Sequence, residues 1–342
     1  MAELFNTVKT IVLGLGTLAL GLVVLYGLTL KLPRVLRNRA QTWLFLAPAL
    51  ITIFIGLFVP ALKTIYTSFL SDAPLHPKFV GLKQFREIFT DSDARLVVLN
   101  SLTWVIIGTV AVVVFAITVA RFADGMRSES VAKSAMFIPT CISLAGAGII
   151  WRFVYASPPI KVGLLSAITK GLHLPTNFGG DGNHLWLTER GLGGITAPKG
   201  APGFNTFLLI IIFVWAQAGI AVVILSAAMK GVPESLVEAA KVDGATNKQA
   251  FYRVTLPYIR STVITVATLT VIAGFKAFDI VAASTGGRAG TSTIANEWYV
   301  TFFLQNRDGF ASAYAVVLFI LVIPFVVINR RAQRHAEELM AA

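Results

Sequence analysis

Few side chains in this sequence could do chemistry, and their spacing limits what that chemistry could be. Lys276 and Asp279 interrupt the otherwise uncharged run 261–283, with Phe275 and Phe278 beside them. Charged groups inside an apolar segment are costly and mark function by default. Three residues apart on one helix, the two would share a face and pair. That pair either neutralises itself near an interface, with Lys276 reaching outward, or lines a pathway. In the second reading the aromatic faces and the hydrogen-bonding groups beside them would line the route of a polar solute. Gln217 is the other candidate, because an amide within the uncharged run 203–229 needs a partner, either another helix or a polar solute. Trp215, two residues earlier, reads as core packing or as pathway surface. Lys63 and Arg152 stand toward the ends of their apolar runs and read as snorkelling cations.

Catalytic and metal-binding patterns are missing from the sequence. His76, His173, His184 and His335 all fall outside the apolar runs; no His-Glu-x-x-His occurs and no two carboxylates share an apolar run. Cys141 is the single cysteine, which excludes an intrachain disulfide and a cysteine metal site. The turn-like stretch Gly179 to Asn183 offers one carboxylate, too few for calcium. No Gly-x-x-x-x-Gly-Lys-Ser/Thr loop is present to cradle a nucleotide. The chain is therefore expected to be no enzyme and to bind no metal or cofactor itself.

The elements that would position these residues follow from composition. Of 342 residues 56% are hydrophobic and 13% charged, and the mean hydropathy is +0.74; soluble domains carry about a quarter charged residues. The net charge of +12 would suggest nucleic acid in a soluble protein, but here the placement of the charges along the chain matters more. Runs of roughly 20 apolar residues span a bilayer as helices. Residues 11–30, 43–62, 96–120, 134–151, 203–229, 261–283 and 309–329 are such runs, giving an all-α polytopic membrane protein of about seven spans. Connections 31–42, 121–133, 230–260 and 330–342 hold 15 Lys or Arg against 7 Asp or Glu, whereas 67–95, 154–202 and 284–308 hold 10 against 8. Positive residues favour the cytoplasmic side, so the first group and the C-terminus face inward. Arg330, Arg331 and Arg334 read as an inside anchor facing anionic lipid. The domains expected are an extra span with a basic connector over 1–40, the main membrane domain over 41–334, and a short tail over 335–342.

The inward connection 230–260 has its own architecture. Pro233 suits the first turn of a helix, Glu234 and Glu238 complement its positive end, and Gly244 can take positive φ and stop it. Asn247 would cap a second short helix, limited by Pro257. The expectation is a helix–turn–helix, with a face suited to a partner's groove. Glu238-Ala239-Ala240, then Gly244, then Val254 and Leu256-Pro257 resemble the signature loop of ABC-importer permeases, with Val254 in place of the usual Ile.

That resemblance implies a type I importer core of six spans and a coupling helix seated in an ATPase subunit. Glu238, Ala239, Ala240, Asp243, Gly244, Leu256 and Pro257 would form the coupling surface, with Glu238 meeting a basic group of the ATPase. Val80 to Phe85, Phe89-Thr90-Asp91, Phe137 to Thr140, Ile150 to Phe153 and Phe275 to Asp279 with Thr285-Gly286-Gly287 resemble the carbohydrate branch, the maltose and α-glucoside permeases. After Gly287 the chain departs from the maltose pattern and reads Arg288-Ala289-Gly290-Thr291, closer to α-glucoside and glucosylglycerol permeases. By the same resemblance Trp215, Gln217, Gly219 and Ile220 match the region lining the sugar pocket. A bacterial inner-membrane location is implied, with four partners: a second permease forming a heterodimer, an ATPase dimer holding ATP and Mg, an extracytoplasmic solute-binding protein and a sugar. A permease for another small polar solute is the nearest alternative. A proton-coupled secondary transporter could use Lys276 and Asp279 as a relay but gives the loop 230–260 no purpose, nor does a membrane-embedded enzyme or a channel.

Overall fold

Uncharged runs of this length satisfy their backbone in hydrocarbon only by closing hydrogen bonds within each segment, and the chain is built of helices accordingly. A computed structural model describes residues 33–73, 76–157, 163–181 and 184–341, with isolated positions between 16 and 30. Most of the expected span 11–30 lies outside the described residues. The chain divides into two units, Met1–Tyr66 and Thr67–Ala342. The first holds nearly all of helix α1 (Gln41–Thr67). The second contains α2 (Lys83–Thr90), α3 (Ser92–Ala123), α4 (Glu129–Cys141), α5 (Leu144–Val154) and α6 (Leu164–Gly171). A two-stranded hairpin follows, β1 (Gly191–Leu192) antiparallel to β2 (Ile195–Thr196). Then come α7 (Phe204–Lys230), α8 (Glu234–Val242), α9 (Asn247–Tyr258), α10 (Arg260–Phe275), α11 (Asp279–Ser284), α12 (Ile294–Tyr299) and α13 (Asp308–Ala341). Among the described residues, α1, α3, α7 and α13 are long and apolar enough to cross a membrane; counting the bent pairs α4–α5 and α9–α10 as one span each gives six.

A helix apolar all round belongs in the middle of a bundle, and α7 is the most buried span, at 61%. Leu209, Ile212, Val222 and Leu225 are fully enclosed, and Phe213 meets Trp104 of α3 edge-on at 5.5 Å. Connections alternate between the two ends. At one end Arg307 binds Asp72 and Glu87, and Asn205 binds the carbonyls of Leu187 and Ala289, joining 67–95, 154–202 and 284–308. At the other end Lys230 meets Glu129 at 2.6 Å and Arg121 stacks over Phe251, joining 121–133 to 230–260.

The structure departs from the expected elements at four places. The run 134–151 is not one straight span: α4 and α5 meet at 103°. Pro139 ends the first in a tight turn, and the Ser143 hydroxyl accepts from the Gly146 N–H at 3.1 Å to start the second. The run 261–283 is likewise broken after Phe275; the Phe278 N–H donates to the Lys276 carbonyl at 2.8 Å, a three-residue turn. Lys276 and Asp279 are therefore not on one helix face; both are exposed, and no ion pair joins them. Helix α3 starts at Ser92, ahead of the run 96–120, where Asp91 Oδ1 accepts from the Asp93 and Ala94 amides at 3.0 and 2.9 Å, so Asn100 and Ser101 lie inside it. The cap of α9 is Thr246, one residue before Asn247, in a reciprocal box with Gln249. The helix passes through a wide turn at Phe251–Thr255 and ends at Tyr258, one residue after Pro257, where the chain bends by 68° into Arg260.

Candidate functional site

The turn of the hairpin 230–260 is set by local sequence. Helix α8 ends at Val242, and Gly244 at φ +86° carries the chain out. Its N–H donates to the Lys241 carbonyl at 3.0 Å and that of Ala245 to the Ala240 carbonyl at 2.9 Å, the pairing that closes a helix on a left-handed glycine. Although the turn is fixed, α8 buries none of its residues. Leu236 is 43% exposed and Val242 87% exposed, an apolar surface on a short helix that asks for a partner. Glu238, Ala239, Asp243, Gly244 and Pro257 are exposed, and Ala240 and Leu256 half-buried. Glu238 forms no ion pair or side-chain hydrogen bond among the described residues, so its carboxylate is free for an external cation. A cleft of 1080 Å³ opens beside it, lined by Arg121, Lys230, Glu234, Glu238, Lys241 and Phe251 among others.

The expected pathway residues divide by location. Phe207, Ile211, Val214, Gln217, Ile220 and Val223 recur every three or four residues along α7 and are all exposed or half-buried. They form one open stripe on the central helix, with Gln217 at its middle and without an intramolecular hydrogen bond among the described residues. Trp215 is half-buried and meets Trp151 of α5 edge-on at 5.8 Å. Gly219 lies off the stripe and is buried: a Cβ there would stand 2.3 Å from the Met136 carbonyl oxygen and 2.9 Å from Phe137 Cα. It is where the α4 backbone touches α7. Phe275 is also core, 3% exposed and edge-on to Phe325 at 5.4 Å. Phe278 is half-buried and tilts against Tyr299 at 5.1 Å. The structure thus joins Trp215 to Trp151 and Phe278 to Tyr299, and sends Gly219 and Phe275 into packing.

Sequence reasoning missed a buried polar network at the opposite end from the hairpin 230–260. Asn100 Nδ2 donates to the carbonyls of Gly290 and Ser292, both at 2.8 Å, and the neighbouring Ser101 hydroxyl accepts from the Ile294 N–H at 2.8 Å. From α7, Asn205 Nδ2 donates to the Ala289 carbonyl at 3.0 Å, and Thr206 donates to Asn100 Oδ1 at 3.4 Å. Two spans thereby hold the loop 285–293, which takes positive φ at Gly286, Gly287, Ala289 and Gly290. The available signal was the pair of Asn-Ser and Asn-Thr dipeptides, each within or at the start of an apolar helix. Arg307 fastens the same end: Nε reaches Asp72 at 2.9 Å and Nη2 reaches Glu87 at 3.0 Å. Burial works against its charge, but the two carboxylates outweigh it and raise its pKa above the ordinary arginine value.

Among the described residues no group of three or more His, Cys, Asp or Glu is placed to hold a metal. The comparisons with known proteins agree with one another. Residues 97–338 match the family of the binding-protein-dependent transport system inner membrane component. The osmoprotective compounds uptake permease protein GgtC of Synechocystis sp. is 38% identical over 299 residues, covering 86% of this chain and 100% of its own. The alpha-glucoside transport system permease protein AglF of Rhizobium meliloti is 34% identical over 308 residues, covering 87% and 84%. A chain of a bacterial alginate ABC transporter, solved in complex with an alginate pentasaccharide-bound periplasmic protein, superposes with a TM-score of 0.69 at 17% identity over 88% of this chain and 96% of that one, which shows a shared fold. Fold and sequence matches lead to one assignment: this chain belongs to the binding-protein-dependent transport family, as an inner-membrane permease component.

Proposed function

We propose that the chain forms one half of the translocation pathway of an ATP-driven sugar importer. The hairpin 230–260 carries this reading, because its turn is fixed by Gly244 while no residue of α8 is buried and most of them, Glu238 and Val242 included, stay exposed for a partner. In that role α8 seats in an ATPase of a dimer that binds ATP and Mg, and the hairpin and C-terminus lie in the cytoplasm. A solute-binding protein delivers cargo to the opposite face, and a related second permease closes the pathway as a heterodimer. ATP shifts the access of the cavity only to the extent that it binds one state better than the other. The open stripe of α7 around Gln217, with Trp215 and Trp151 beside it, supplies an amide and aromatic faces suited to hydroxyls and pyranose rings.

The cargo is an oligosaccharide or α-glucoside such as maltose, trehalose or glucosylglycerol, a reading supported by the names of GgtC and AglF. Titrating the partner solute-binding protein with these three sugars, an amino acid and a phosphate ester tests it calorimetrically. Saturable heat with at least one of the sugars is expected. Binding of the amino acid or phosphate ester with no response to any sugar contradicts the cargo class.

A further inference from the structure

The helix leading into the docking hairpin is fastened to α4 at two heights. Lys230, the last residue of α7, brings Nζ to 2.6 Å from Oε1 of Glu129, the first residue of α4. The same oxygen takes the ammonium of Lys133, one turn along α4. Further up, Gly219 admits the α4 backbone so closely that any Cβ would collide with the Met136 carbonyl. Beyond α4 the chain turns through the elbow at Ile142–Ser143 into α5, and α5 rests on α11. A Cβ on Gly148 would stand 3.0 Å from Ala283 Cβ and 3.2 Å from the Ile280 carbonyl, and Ser284 Oγ donates to the Gly148 carbonyl at 3.4 Å. Helix α5 also carries Trp151, set against Trp215. A packed route therefore runs from the base of the hairpin along α4, round the elbow, and into the elements beside the open face of α7.

We propose that Glu129 is a positioning residue whose bridge to Lys230 makes α4 travel with the docking hairpin. A displacement imposed on the hairpin then reaches α5 and α11 instead of being absorbed between α4 and α7. This rests on the importer reading, in which a partner drives the hairpin. With side chains 19% and 52% exposed, the Glu129–Lys230 pair is partly screened and adds little stability; its contribution is alignment. Arg121, whose guanidinium lies 4.2 Å from the Phe251 ring centroid, ties α3 to α9 separately and serves as a control.

The test uses the complete transporter with Cys141→Ser and nitroxide labels at Val131→Cys on α4 and Ser235→Cys on α8, both exposed positions. Interspin distances are recorded without nucleotide and after trapping with ATP and vanadate. With the bridge intact, one distribution is expected in both states. With Glu129→Gln or Lys230→Gln the two states separate, and the ATP hydrolysed per labelled maltose or glucosylglycerol taken up rises about fivefold. The double variant is expected to be no worse than either single one, and Arg121→Gln leaves the distance unchanged. A nucleotide-dependent distance in the unaltered bridge, variants that change neither readout, or additive losses overturn the proposal. If Glu129→Gln fails to assemble, Lys230→Gln, at the half-exposed end of the pair, decides the matter. The distance measurement does not depend on cargo. A wild-type complex that imports none of maltose, trehalose and glucosylglycerol contradicts the cargo reading, and the spectra still judge the bridge.

Discussion

Single residues show where packing and function part. Gly219 and Gly244 are both glycines in regions of interest, yet they are glycine for opposite reasons. At Gly244 no atom lies within 4 Å of where a Cβ would stand and the constraint is φ +86°; at Gly219 the helix is regular and the constraint is the backbone of Met136 and Phe137. Because backbone cannot step aside as a flexible side chain can, Gly219→Ala is expected to destabilise the protein by about 1–3 kcal/mol through overpacking. Thermal unfolding in detergent checks this as a lowered midpoint, and an unchanged midpoint contradicts the contact. The sequence marked Gly219 only through its resemblance to a pocket-lining region, since its neighbours Met136 and Phe137 lie far earlier in the chain. The role of Asn100 was hidden for the same reason: its acceptors, Gly290 and Ser292, are 190 and 192 residues away. Leaving such carbonyls buried without a donor costs roughly 1–3 kcal/mol each, which makes the network a fastening of the loop 285–293.

At the scale of elements, what could be read from sequence divides into local and distant causes. The hairpin 230–260 was legible nearly to the residue, because capping and the glycine turn act within a few positions. The breaks at Ile142–Ser143 and after Phe275 were not, since an apolar run has the same composition whether straight or bent, and the bends are held by packing from elsewhere, as Thr293 Oγ1 on the Ala277 carbonyl illustrates. The pairing of Lys276 with Asp279 failed for this reason: it assumed a helix where the chain turns. The docking role proposed for the hairpin gives a direct expectation. Gly244→Asp keeps a residue that tolerates left-handed φ but puts a new charge at the tip of the turn, and Glu238→Lys reverses the free carboxylate. Each is expected to lower ATPase retained on the purified permease, and ATP-driven uptake, by at least about tenfold. Retention and uptake both at wild-type levels would remove the hairpin from the docking surface.

Across the larger unit, connections 67–95, 154–202 and 284–308 meet at one end of the bundle, and 121–133 meets 230–260 at the other. Arg307, Asn100 and Asn205 tie one end, and Lys230, Glu129 and Arg121 tie the other. Between them α7 runs through the centre with one stripe left open, the arrangement needed if solute passes along that face and force arrives from the hairpin below it. The function proposed for this permease is to move sugar at the expense of ATP hydrolysed by a partner. It is tested most directly in proteoliposomes holding the permease pair and its ATPase, with the solute-binding protein outside and ATP trapped within. Uptake of labelled maltose, trehalose or glucosylglycerol is then measured with and without vanadate and a proton uncoupler. Uptake that requires both the binding protein and ATP, stops with vanadate and ignores the uncoupler is the result predicted. Uptake that proceeds without ATP and collapses with the uncoupler would contradict it.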